Sequence, residues 1–155
     1  MNKYFITNIY ETKWNVIIDN SIRKKFQLIN INGYDLVLVH KKLIKEILEP
    51  YKFIAKKITE DDGSITLSLE NIDLIENAPT LSEAKMKLAE AIKEYSYDFF
   101  NDFEFWGAAP NRKGHIPYLL KAALAESINE INNSIEFLKN DRWLGIFNEK
   151  VLHYN

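Results

Sequence analysis

Three histidines, His40, His115 and His153, are the side chains best suited to proton transfer or metal binding, and none stands at ligand spacing from another. The chain has no cysteine, which removes thiolate nucleophiles, thiolate metal sites and disulfides together. The His-Glu-x-x-His pair, a glycine-rich phosphate loop and a Gly-x-Ser-x-Gly elbow are all missing. Asp61-Asp62-Gly63 sets two carboxylates beside a glycine but lacks the twelve-residue ligand pattern of a calcium loop, and reads as a hairpin turn. Asp98, Asp102 and Glu104 are close enough along the chain to pair as acid and base, although a solvated face accounts for them more simply. The sequence therefore predicts no catalytic residue, no metal ligand and no cofactor.

Binding chemistry is better represented. The run Tyr95, Tyr97, Phe99, Phe100, Phe103, Phe105, Trp106 holds more aromatic surface than one helix face can bury, so part of it is expected to pack and part to meet a partner. Just beyond it, Asn111, Arg112, Lys113 and His115 lie between Pro110 and Pro117. Two prolines lower the entropy cost of ordering such a loop. The arginine fork suits a carboxylate or an aromatic face. Trp106, Asn111, Arg112, His115 and Tyr118 are the candidate partner-binding residues. The competing structural reading has Asn111 and His115 capping the last helix and Arg112 paired with Asp102 or Glu104. Arg23-Lys24-Lys25 is a basic patch able to touch DNA phosphates, as is Lys41-Lys42, with solvated charge as the plainer role.

These groups need elements to hold them. Alternation in Tyr4 to Tyr10 and in Trp14 to Ile18 reads as two short strands. Phe26 to Ile31 and Tyr34 to Val39 flank Asn32-Gly33, the signature of a hairpin with a type I′ turn. His40 to Glu49 reads as a short helix stopped by Pro50, and Tyr51 to Glu60 as extended chain. Ser64 to Leu69 alternates as a half-buried strand, with a third strand expected over Ile72 to Ile75. Thr80-Leu81-Ser82-Glu83 is a capping box opening a long helix with Leu88 and Ile92 inward, Glu90 and Lys93 outward, fraying near Asn101. Phe103 to Gly114 reads as irregular. Pro117 opens a final amphipathic helix through Leu120, Leu124, Ile128, Ile131, Ile135 and Leu138, and the tail from Asp141 carries Trp143, Leu144, Ile146 and Phe147, apolar enough to dock.

With 46% hydrophobic and 13% aromatic residues, five glycines and four prolines, the 155 residues can fill a core and leave little for linkers. A formal charge of −2 argues against coating nucleic acid by net charge. Met1 to Phe5 lacks the apolar core of a signal peptide, and no stretch approaches the ~18 apolar residues of a membrane helix. A cytoplasmic protein without membrane contact is the expectation, and Asn132-Asn133-Ser134 is then a chance sequon.

Two stretches resemble a known family. Phe26 to Glu49, a hairpin running into a helix through Tyr34-Asp35-Leu36-Val37-Leu38-Val39-His40-Lys41-Lys42-Leu43, resembles the core of Phd/YefM-type antitoxins. Asp62 to Leu69, Ala78-Pro79-Thr80-Leu81-Ser82-Glu83-Ala84 and the stretch from Ala108 to Lys121 resemble RelB/Phd-like antitoxins, and the strand–helix order is similar to that of HicB antitoxins. The resemblance spans about residues 26 to 121. It departs at Ala78-Pro79, where the family carries Gly before the capping Thr, at Trp14 to Lys25, where the usual N-terminal helix has no clear counterpart, and beyond Lys121, where the chain runs on. It implies a protein that masks a cognate ribonuclease-type toxin, often as a dimer, and that can repress its own operon at operator DNA.

The expected fold is α+β: a small antiparallel sheet with an N-terminal hairpin, one long helix packed on it and a C-terminal amphipathic helix. Residues 1–50 form a hairpin and helix unit and 51–155 a three-stranded sheet with its helices, together one compact domain. A DNA-binding regulator and an enzyme with a carboxylate site are the alternative functions.

Overall fold

The structure, a computed structural model, describes residues 6–8 and 14–138. The chain divides into two units, Met1–Pro50 and Tyr51–Asn155.

In the first unit, β1 (Ile6–Asn8) is followed by α1 (Trp14–Lys24), β2 (Phe26–Ile31), β3 (Tyr34–Val39) and α2 (Lys41–Ile47). The sheet order is β1-β2-β3, with β1 parallel and β3 antiparallel to β2. Ile31 pairs with Tyr34 across a two-residue loop in which Asn32 and Gly33 both take positive φ, 52° and 86°. Those angles belong to the type I′ turn, whose twist matches the strands it joins. His40 caps α2, its Nδ1 accepting from the Lys42 amide at 3.2 Å.

In the second unit, β4 (Phe53–Thr59), β5 (Ile65–Leu69) and β6 (Ile75–Ala78) form an antiparallel meander, and β7 (Ile135–Phe137) joins the far side of β4 in parallel, giving the order β6-β5-β4-β7. Strict alternation in β5 buries Ile65, Leu67 and Leu69. On that face lies α3 (Leu81–Asn101), flanked by α5 (Ile116–Ala123) and α6 (Ile128–Ser134). Its buried stripe is Ala84, Leu88, Ala89, Ile92, Ser96 and Phe99, and the small residues let the helix backbone come close to the sheet. The Ser96 hydroxyl is satisfied by the Leu119 carbonyl at 2.8 Å. Thr80 accepts from the Glu83 amide at 3.2 Å and donates to the Glu83 carboxylate at 2.9 Å, which starts α3 where the capping box places it. After α3 come α4 (Phe103–Ala108) and a tight 3-10 turn, Pro110–His115.

Several expectations need correction. Trp14 to Ile18 is the first half of α1, not a strand: its β-branched run imitates alternation, but Ile17 and Ser21, four apart, are the buried pair, and the Ser21 hydroxyl bonds back to the Ile17 carbonyl at 2.8 Å. The helix absent by sequence is therefore present. The third strand begins at Ile75; Ile72 is buried in the turn before it. Phe103 to Gly114 is largely helical, because Asp102 caps α4 by accepting from the Phe105 amide at 3.3 Å. The final apolar periodicity is divided between α5, α6 and β7. Ser127 caps α6 by accepting from the Glu130 amide at 3.2 Å while Glu130 accepts from the Glu126 amide at 2.8 Å, so a new helix starts where a single one was expected to continue. Lys93 does not simply face water: its ammonium donates to the Ala122, Ala123 and Ala125 carbonyls at 2.9, 3.3 and 3.3 Å, capping the end of α5. The strand expected over Tyr4 to Tyr10 is described only at Ile6–Asn8, and the expected docking of the tail from Asp141 falls outside the described residues.

Candidate functional site

A cluster of polar and aromatic side chains in the second unit is built around Tyr95, on the edge of the α3 stripe. Its ring stands edge-on to Phe99, Trp106 and His115, with centroids 6.1, 5.9 and 5.9 Å away. Arg112, carried in by the Pro110–His115 turn, lies over Trp106 at 4.6 Å and over Tyr95 at 5.6 Å, and its Nη1 donates to the Tyr95 hydroxyl oxygen at 2.6 Å. The same hydroxyl is 2.9 Å from His115 Nδ1. Arginine can only donate, so the Tyr95 oxygen accepts from it; toward His115 the hydroxyl donates when Nδ1 is bare and accepts when Nδ1 carries the ring hydrogen. The contacts link Arg112 through Tyr95 to His115 in one side-chain relay. Burial holds the His115 pKa below the ordinary histidine value; the nearby Asp73 opposes this and the Arg112 cation reinforces it.

Beside the cluster is a shallow cleft of about 240 Å³ lined by Asp73, Glu94, Asp98, Trp106 and Arg112 among others. It takes in Asp98 but neither Asp102 nor Glu104, and one Asp102 oxygen is committed to the start of α4. The three carboxylates of the expected acid–base cluster are all exposed, and this cleft holds only Asp98 of them. Among the described residues no three His, Asp or Glu side chains group as metal ligands. Asp62 caps its own turn, accepting from the Ser64 amide at 2.9 Å, and hydrogen bonding to Ser64 lowers its pKa. The chemistry this region can perform is recognition by rings, carboxylates and one guanidinium.

Of the candidate residues, the fold brings Trp106, Arg112 and His115 together and separates Tyr118 from them. Tyr118 packs edge-on to Tyr51 at 5.4 Å, lies 6.3 Å from Phe53, and accepts from the Asn71 amide at 2.6 Å. Asn111 is exposed; Trp106, Arg112 and Tyr118 are half-buried; His115 is buried. Neither Asn111 nor His115 caps α5 with its side chain, and Arg112 pairs with rings rather than with Asp102 or Glu104. Tyr95 is the residue that sequence reasoning missed: it recurs on the α3 stripe at core spacing, and only its hydroxyl marks it out. In the first unit, Arg23, Lys24 and Lys25 are exposed at the end of α1, where cations meet the negative end of the helix dipole favourably. Lys25 turns the chain at φ 69°, its carbonyl accepting from the His40 amide at 2.8 Å.

Comparison with known proteins places this geometry in a context. A family model described as "PHD_like: Antitoxin of toxin-antitoxin, RelE / RelB, TA system" matches residues 1–138. A crystal structure of an antitoxin part of a proposed toxin/antitoxin system from Syntrophomonas wolfei subsp. wolfei is similar with a TM-score of 0.75 and 32% identity, covering 86% of this chain and 98% of that one. A search of curated proteins returns no match.

Proposed function

The chain belongs to the PHD-like antitoxins of RelE/RelB toxin–antitoxin systems, and from that premise we propose that it acts in the cytoplasm by binding and masking a cognate ribonuclease-type toxin, without catalysis of its own. The observation that carries the reading is the family match across residues 1–138, which takes in both units. The surface proposed for the toxin surrounds the Pro110–His115 turn. Asn111 offers exposed donors and acceptors, Trp106 and Arg112 present their accessible portions, His115 anchors the turn through Tyr95, and Tyr118, set apart against Tyr51 and Phe53, would meet the toxin at a separate point. The test is co-expression with the reading frame beside this gene, followed by an RNA-cleavage assay on the purified pair. Growth rescue with stoichiometric loss of cleavage is expected. A neighbouring product that cleaves RNA equally well in the presence of this protein would overturn the reading.

A second role, operon autoregulation by a homodimer, is favoured by the surface of the first unit. Val16, Ile18 and Ile22 of α1 are exposed, and so are Tyr34 at 73% and Val37 at 58% on β3. The edge strand β3 carries none of the lysines or prolines that usually protect an edge. A second copy related by a two-fold axis would cover it, and would bring two Arg23-Lys24-Lys25 patches to one DNA duplex. Light scattering of the wild type and of Val37→Lys, with a mobility shift on the upstream region at two salt concentrations, tests both parts. A monomeric wild type sinks the dimer, and a salt-insensitive or absent shift sinks the DNA contact.

A further inference from the structure

We propose that the junction of α3 and α4 is the seat for a basic segment of the toxin, one whose Lys or Arg stems cover aromatic rings while their heads reach carboxylates; the inference rests on the antitoxin reading and names the surface and the chemistry of its partner. From Glu94 to Asn111 the sequence contains no Lys or Arg but four carboxylates, Glu94, Asp98, Asp102 and Glu104, in a chain whose total charge is only −2. Among the described residues none of the four makes an ion pair, and Asp102 alone uses an oxygen, on the Phe105 amide. The same stretch leaves large rings in solvent, Tyr97 at 70%, Phe105 at 66% and Phe103 at 49%.

Two of these rings are exposed but fixed. The Phe103 ring stacks on Phe100 at 6.4 Å with planes 3° apart, stands edge-on to Phe99, and covers Gly107, where a Cβ would fall 3.2 Å from a ring atom. Phe105 meets Trp106 edge-on at 5.2 Å, and Trp106 is clamped by Arg112 and Tyr95. Rings held in place before binding lose little freedom on binding, which is the condition for an anchor residue. The four carboxylates carried by the same stretch, none of them in an ion pair among the described residues, disfavour phosphate, so a nucleic acid fits this stretch poorly. A basic partner relieves their mutual repulsion and finds ring faces for cation–π contact. The Arg112–Tyr95–His115 relay is then a positioning device: it holds Trp106, and through it Phe105.

The experiment measures binding of the purified product of the adjacent reading frame to the full-length protein by titration calorimetry at two salt concentrations. The variants are Phe105→Ala and the double reversal Asp98→Lys with Glu104→Lys, all positions exposed enough to spare the fold. Phe105→Ala should weaken Kd by about tenfold or more. The charge reversal should weaken it by a similar factor and flatten its salt dependence. Unfolding midpoints should stay at the wild-type value. Wild-type Kd in both variants would overturn the inference while leaving the antitoxin reading intact. So would a wild-type homodimer that these substitutions dissociate, since the occupant would then be a second copy. Wild-type protein that does not bind the neighbouring product overturns the antitoxin reading itself, and this inference with it.

Discussion

Tyr95→Phe isolates the link between Arg112 and His115, because it removes one oxygen and leaves the ring. The contacts of that ring with Phe99 and Trp106 survive, so no cavity term enters. Two hydrogen bonds are lost, one from Arg112 at 2.6 Å and one with His115 at 2.9 Å. Arg112 is half-buried and can turn to water, so its share is small. His115 is only 7% exposed, and its Nδ1 is left without its hydrogen-bond partner, which costs about 1–3 kcal/mol for a buried unsatisfied group. That sum should appear in urea unfolding at pH 7.5, and as a melting temperature lower by roughly 2–4 °C per kcal/mol in a chain of this size. His115→Gln and the double variant complete a cycle. If the hydroxyl and the imidazole act on each other, the double variant should cost less than the two singles summed, by about 0.5 kcal/mol or more. A Tyr95→Phe effect under about 0.5 kcal/mol, or strict additivity in the cycle, would refute the relay.

Other outcomes follow from the same geometry. His115 has a pKa lowered on folding, so its contribution is complete above the ordinary histidine value of 6.5 and lost as pH falls through the folded value; stability should drop as pH falls below 6.5, and His115→Gln should flatten that slope. Leu88, fully buried between α3 and the sheet, should cost about 2–5 kcal/mol as Leu88→Ala in chemical denaturation, and a change below about half a kcal/mol would mean that this face is not packed. Lys93→Met keeps the stem and removes the cap on three carbonyls; a loss of about 1–2 kcal/mol is expected, diminished by salt in the wild type only. Protein dialysed against chelator should retain no stoichiometric zinc or calcium by elemental analysis, and a retained ion would contradict the reading of Asp62 as a turn residue.

What the sequence disclosed of the fold is what local chemistry fixes. Asn32-Gly33 dictates its turn by φ alone, the capping box at Thr80 and Glu83 needs only four residues, and Leu88 and Ile92 follow from helical period. The misread elements are those settled by distant partners. Val16-Ile17-Ile18 is alternation on paper, and becomes helical because α1 packs along β2, where Ile17 and Ser21 are both covered. Ile135, a helical i+4 partner of Ile131 by sequence, is claimed by the edge of β4 through its pairing with Phe53, 82 positions earlier. No window of neighbouring residues contains that fact.

The site follows the same logic with a sharper consequence. An arginine between prolines, beside a run of aromatics, has two natural uses: a fork held out to a partner, or a cation laid over rings. Residue types cannot choose between them. The choice depends on a tyrosine seventeen positions earlier on another helix, brought within 2.6 Å of the guanidinium. Once Arg112 is spent on Tyr95 and Trp106, and His115 is covered, the surface available to a partner moves from the residues with the richest chemistry to the rings those residues immobilise. Phe105 and Phe103 look in the sequence like core that failed to find a place. Packed against Trp106 and over Gly107 they are fixed ring faces, and with four carboxylates free of ion pairs among the described residues on the same stretch of chain they are what the proposed basic partner would meet.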